Sequence, residues 1–107
     1  MIEDMAKWDE ALEKQALLSP ASFEQMWAPV RLNDGSRASY GFGWNVEKNA
    51  LGHRLIEHGG AWQGFATYIG RHPDEHLSVV VLCNRAGANP VYIANVVAGY
   101  YLSLIHI

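Results

Sequence analysis

Arg54-Leu55-Ile56-Glu57-His58-Gly59, Phe65-Ala66-Thr67-Tyr68-Ile69-Gly70-Arg71 and Leu77-Ser78-Val79-Val80-Val81-Leu82-Cys83 decide the fold. Each is of strand length, and turn chemistry separates the last two at His72-Pro73-Asp74-Glu75-His76. Connections this short favour an antiparallel meander, because a parallel crossover needs a dozen or more residues. His58-Gly59-Gly60-Ala61, running on to Gly64-Phe65, then places a histidine and three glycines along the edge of a sheet. Glycine inside a strand costs stability and marks close approach of a ligand or another backbone, so this stretch is a candidate site.

Upstream, Tyr40 to Val46 reads as a further strand, with Tyr40, Phe42 and Trp44 alternating with Gly41, Gly43 and Asn45. Such a strand packs closely against something on its glycine side. Asn33-Asp34-Gly35-Ser36 is a turn by its chemistry. Ser19-Pro20 starts a helix, serine as N-cap and proline at the first helical position, with Phe23, Met26 and Trp27 as its buried face. Met5, Trp8 and Leu12 recur at helical spacing, with Asp4, Glu10, Glu13 and Lys14 on the other side. From Pro90, apolar Val91, Ala94, Val97, Ala98 and Tyr101 predict a C-terminal helix covering one sheet face. Leu102 to Ile107 breaks that pattern. The fold class is therefore α+β, an antiparallel sheet with flanking helices.

A chain of 107 residues is one domain at most. Its formal net charge is -3 and it has no Lys/Arg cluster, so it carries no electrostatic footprint for nucleic acid or an anionic membrane. No segment reaches the roughly 18 apolar residues of a membrane span. Cys83 is the only cysteine and reads as a small buried hydrophobe. His53, His72 and His76 lack the cysteine or carboxylate spacing of a known metal site, so no metal is expected.

Glu57-His58-Gly59-Gly60-Ala61-Trp62-Gln63-Gly64-Phe65-Ala66-Thr67-Tyr68, then Pro73, then Val79-Val80-Val81-Leu82-Cys83-Asn84-Arg85, resembles the C-terminal part of the serine β-lactamase, penicillin-binding-protein and esterase family. The class C branch and its esterase-like relatives are nearest in pattern. Asp4-Met5-Ala6-Lys7-Trp8, Leu17-Leu18-Ser19-Pro20 and Tyr40-Gly41-Phe42-Gly43-Trp44 extend the likeness over most of residues 1 to 101. In that family a Lys-Thr-Gly or His-x-Gly tripeptide lines the active site, the nucleophile lies in a Ser-x-x-Lys, and a Tyr-x-Asn or similar loop adds a proton-transfer group. Here Ser19, Ser22, Ser36, Ser39, Ser78 and Ser103 are never followed by lysine three positions on, and no tyrosine precedes asparagine by two. The resemblance thus implies a partial domain over residues 1 to 101, a C-terminal segment whose partner is the missing nucleophile-bearing part of the same domain. Residues 102 to 107 read as a non-native tail.

The same resemblance implies the site. The Ala61 backbone N–H would be an oxyanion donor, and His58 stands where the family often has lysine. A histidine, with an ordinary pKa of about 6.5, attracts a substrate carboxylate less than a lysine does. Gly59 lacks the hydroxyl that threonine or serine offers there. Both differences point toward an ester or peptide-like substrate over a penicillin. Gly59 and Gly60 would leave the strand edge clear for a substrate backbone to lie along it; a bulge or tight strand crossing explains them equally well. Trp62, expected in a loop after the donor, would touch substrate. Asn89 would stand at the cleft's rim or serve as a turn or cap residue. The implied activity is hydrolysis of a small-molecule ester, amide or β-lactam through an acyl-serine intermediate, with no cofactor, in a periplasmic or secreted bacterial protein. The alternative is a non-catalytic binding or interaction module on the same sheet. That module would have a polar open face, whereas Phe42, Trp44, Phe65 and Tyr68 are expected to make it apolar.

Overall fold

The computed structural model describes residues 1–49 and 51–105. Two helices, α1 (Ile2–Glu13) and α2 (Pro20–Met26), precede four strands, β1 (Asn45–Lys48), β2 (Arg54–Trp62), β3 (Phe65–His72) and β4 (Leu77–Cys83), and α3 (Pro90–Ile105) closes the order. The strands form one antiparallel sheet in the sequential order β1-β2-β3-β4. This is the meander that the short connections predict, within an α+β fold.

Tyr40 to Trp44 is not strand. Gly41 donates its N–H to the Trp44 carbonyl (2.7 Å), Gly43 adopts a φ of 82°, and pairing with β2 begins only at Asn45. The close approach foreseen for the glycines is found at Gly41, where a Cβ would stand 2.1 Å from the Met26 carbonyl oxygen. The segment is folded down onto the end of α2, which leaves β1 only four residues long.

The pleat assigns the two faces. Trp44, Ile56 and Ile69 join Leu12 of α1 and Phe23 and Trp27 of α2 in one buried cluster, with Met5, Met26, Val46 and Val80 packed against it. In α2 the Ser22 N–H donates to the Ser19 hydroxyl (3.2 Å), the cap that the sequence requires. Helix α1 departs from its expected stripe. Trp8 is 43% exposed, while Asp9 and the half-exposed Glu13 direct their carboxylates at the sheet. The reason is Arg71, whose side chain is 1% exposed and lies over the Trp27 ring; it donates to Asp9 (2.7 Å) and Glu13 (3.0 Å). A buried guanidinium must be paired, so charge at two helix positions overrides apolar periodicity.

Helix α3 covers the other face through Ala94, Ala98 and Leu102, with Leu55, Ala66, Tyr68 and His72 buried on the sheet side. The helix does not stop at Tyr101 but runs to Ile105, because Leu102 extends the four-residue stripe of Ala94 and Ala98 into the interface. Val91, Val97 and Tyr101, expected at this interface, are exposed. His106 and Ile107, the end of the segment expected to be a tail, lie outside the described residues.

Candidate functional site

Strand β2 outruns β1. Pairing between them ends at Asn45 and Glu57, so residues 58 to 62 have β3 on one side and no strand on the other among the described residues. At its far end β2 turns into β3 through Gln63 and Gly64, with φ of 36° and 91°, a two-residue turn whose twist matches an antiparallel ribbon. Trp62, expected in a loop, is instead the last strand residue, paired with Phe65.

The phase of the ladder follows from both ends. A two-residue turn makes Trp62 and Phe65 a hydrogen-bonded pair, and alternation then directs Gly60 and His58 at β3. From the other end, the Asn49 N–H donates to the His53 carbonyl (2.8 Å), which directs Leu55 and Glu57 at β1 by the same alternation. The N–H and C=O groups of Gly59 and Ala61 therefore point off the open edge.

His58 lies exposed beside them, and both of its ring nitrogens are engaged. Nδ1 is 2.6 Å from the Gly59 carbonyl oxygen, and Nε2 is 3.1 Å from the Tyr40 hydroxyl. A carbonyl can only accept, so Nδ1 carries a proton. Gly60 faces Thr67 across the ladder; Thr67 Oγ1 donates to the Gly60 carbonyl (3.3 Å), and a Cβ on Gly60 would stand 2.7 Å from that oxygen. His58, Gly60, Thr67, Leu82 and Met5 line a cavity of about 220 Å³. A wider apolar opening of about 750 Å³ adjoins it, sharing Thr67 and Leu82 and reaching Phe65, Asn84 and Arg85.

Trp62 and Phe65, 73% and 55% exposed, form an apolar ledge on this face, joined by Leu82. Phe42 is also exposed, but Trp44 and Tyr68 do not contribute to the open face as expected. Trp44 is in the core cluster, and Tyr68 is buried on the α3 face, where its hydroxyl donates to Glu57. Burial, together with the Glu57 carboxylate, raises the Tyr68 phenol well above its ordinary pKa. Asn89 caps α3, its Oδ1 accepting from the Tyr92 N–H (3.1 Å), and is not among the residues lining either cavity. Cys83 is half-buried rather than buried. The three turn histidines serve hydrogen bonds: His76 meets Glu13 (2.6 Å), while His53 (2.6 Å) and Asn49 (3.0 Å) converge on Glu75, and Asn49 also reaches His72 (3.0 Å).

Sequence reasoning missed Tyr40 and Thr67. Thr67 had a usable signal, since a β-branched residue paired with a glycine fills the space that the glycine leaves. Tyr40 had none, because its approach to His58 depends on the chain folding at Gly41.

The Beta-lactamase family model matches residues 1–98. The chain is similar to a penicillin-binding protein of Bacillus subtilis (35% identity over 82 residues, 77% of this chain and 18% of that protein). It is also similar to the D-aminopeptidase of Gluconobacter oxydans (31% over 97 residues, 91% of this chain and 18% of that protein). Among solved structures, an octameric penicillin-binding protein homologue from Pyrococcus abyssi superimposes with a TM-score of 0.81 at 28% identity, covering 95% of this chain and 24% of that one. The chain spans about a fifth of the length of the curated relatives it matches.

Proposed function

The chain belongs to the Beta-lactamase family, and from that premise we propose that it forms one wall of a serine hydrolase site whose nucleophile lies outside these 107 residues. The observation that carries this reading is the Ala61 N–H directed off the open edge of β2. An acyl-transfer site needs a donor fixed where negative charge develops on the carbonyl oxygen, and a rigid strand amide supplies one without reorganisation. In this reading Ala61 is that donor, Gly59 and Gly60 give the substrate room along the edge, His58 orders the edge beside it, and Trp62 contacts the substrate. The whole protein would hydrolyse an ester, amide or β-lactam through an acyl-serine. The similarity to a penicillin-binding protein and to D-aminopeptidases supports that class of chemistry. The exposed ledge of Trp62 and Phe65 supports a covered face over the polar one that a free-standing binding module would have.

The 107-residue chain incubated with nitrocefin or p-nitrophenyl butyrate should not exceed a buffer blank, because donors without a nucleophile leave only residual catalysis. Stoichiometric acylation of any of its serines, seen by intact-mass spectrometry, would overturn the reading. The positive counterpart is an in-frame Ser-x-x-Lys upstream of codon 1, whose serine should acylate in the longer product.

A further inference from the structure

We propose that Tyr40 is a positioning residue that acts through His58, the two together capping the Gly59 carbonyl, so that from the Gly59 N–H to the Ala61 N–H the open edge presents donors whose one intervening acceptor is already engaged, the Ala61 carbonyl lying beyond them. The argument begins with the ladder. At Gly59 both the N–H and the C=O point off the edge, and the next outward group is the Ala61 N–H. The Gly59 oxygen lies 2.6 Å from His58 Nδ1, which must donate to it. In the neutral ring Nε2 then carries no proton, and the Tyr40 hydroxyl, 3.1 Å away, donates to it. The hydrogen bond at one ring nitrogen sets the tautomer at the other, so Tyr40 keeps the proton on Nδ1. Ring centroids 6.0 Å apart at 64° give an edge contact that holds the imidazole in this pose.

The cap has a consequence for what can lie along β2. An added strand normally donates to and accepts from the residue opposite. With one lone pair of the Gly59 carbonyl taken by His58, a ligand N–H at that place must share the oxygen and gains less, whereas a ligand group that presents an oxygen to the neighbouring N–H donors loses nothing. The edge therefore selects carbonyl compounds with an oxygen where a peptide has its N–H: esters over amides at that position. This selectivity deepens the hydrolase reading and rests on it for the ligand being a substrate. The tautomer itself rests only on the geometry of this chain.

The test uses the whole 107-residue chain, labelled with ¹⁵N. Long-range ring correlations should show His58 with a protonated Nδ1 and a bare Nε2. In Tyr40→Phe, which keeps the ring and removes the hydroxyl, part of the population should move to the Nε2–H form while amide dispersion shows an intact fold. An Nε2–H ring in the wild type would overturn the cap, and a Tyr40→Phe ring identical to wild type would overturn the role of Tyr40. A matched pair of probes, methyl acetate and N-methylacetamide at equal concentration, reads selectivity. Larger Gly59 and Ala61 amide shifts with the ester, a difference that shrinks in Tyr40→Phe, support it; equal or reversed shifts overturn it. None of these readings needs turnover, so the hydrolase reading and the cap can fail separately.

Discussion

Ala61 and Gly60 are neighbours with opposite requirements. Gly60 faces Thr67 across the ladder, and a Cβ there would push the Thr67 hydroxyl out of its bond to the Gly60 carbonyl. Ala61, in the proposed reading, acts through its N–H, which faces outward and carries no ladder bond to β3. Proline at such an outward-facing position is tolerated in a sheet. That makes Ala61→Pro a clean deletion of one donor. In a longer form of the protein that holds the nucleophile, hydrolysis should fall about a hundredfold or more. Ala61→Ser, which keeps the N–H, should stay near the parent rate, and circular dichroism checks that both fold. A folded Ala61→Pro enzyme with near-normal turnover would return Ala61 to a plain strand residue.

At the scale of elements, two polar clusters tie the pieces together. Arg71 joins α1 to the sheet through Asp9 and Glu13. The Asn49–His53 turn joins the β3–β4 connection through Glu75, whose side chain is 3% exposed. Burial alone would raise the Glu75 carboxyl, but hydrogen bonds from Asn49 and His53 and the charge on His53 outweigh it and hold the pKa below the ordinary carboxylate value. Burial lowers the His72 pKa, against the opposing pull of Glu75 and Glu57, and the neutral ring accepts from Asn49 at Nδ1. Both groups are thus depressed in the folded state, so their stabilisation is full above their unfolded values and is lost as pH falls through the folded ones. Thermal melts should be level near neutrality, begin to fall below about pH 6.5 as His72 is driven to protonate, and fall further below about pH 4.3 with Glu75. Asn49→Ala should blunt the carboxylate part of this decline. A midpoint independent of pH from 7 to 4 would show that the clamp contributes nothing.

As a whole molecule, the chain has more apolar surface than its own core can use. Helix α3 buries Ala94, Ala98 and Leu102 but exposes Tyr92, Ile93, Val96 and Tyr100, and the open half of the sheet exposes Trp62, Phe65 and Leu82. A helix this apolar on its outer side leaves a surface to which an apolar probe can bind. The isolated chain should therefore enhance the fluorescence of an anilinonaphthalene sulfonate dye several-fold over a polar-surfaced control of equal size, and a Trp62→Ser, Phe65→Ser double variant should reduce that signal. No enhancement at neutral pH would mean that these side chains pack away in solution. The meander, the Ser19 cap, the Asn33–Ser36 turn and the glycine close approach at Gly41 were all legible along the chain, because period-two patterning, capping and turn preferences are local. Strand Tyr40–Val46 was misread because its two glycines serve a contact with Met26 and a left-handed turn, neither of which lies within the segment. The stretch from His58 to Ala61 could be singled out from residue type alone. Which amides face outward, that Tyr40 reaches His58, and that the carboxylates of Asp9 and Glu13 reach Arg71 were decided only when the elements packed, because each depends on ladder phase or on a partner tens of residues away.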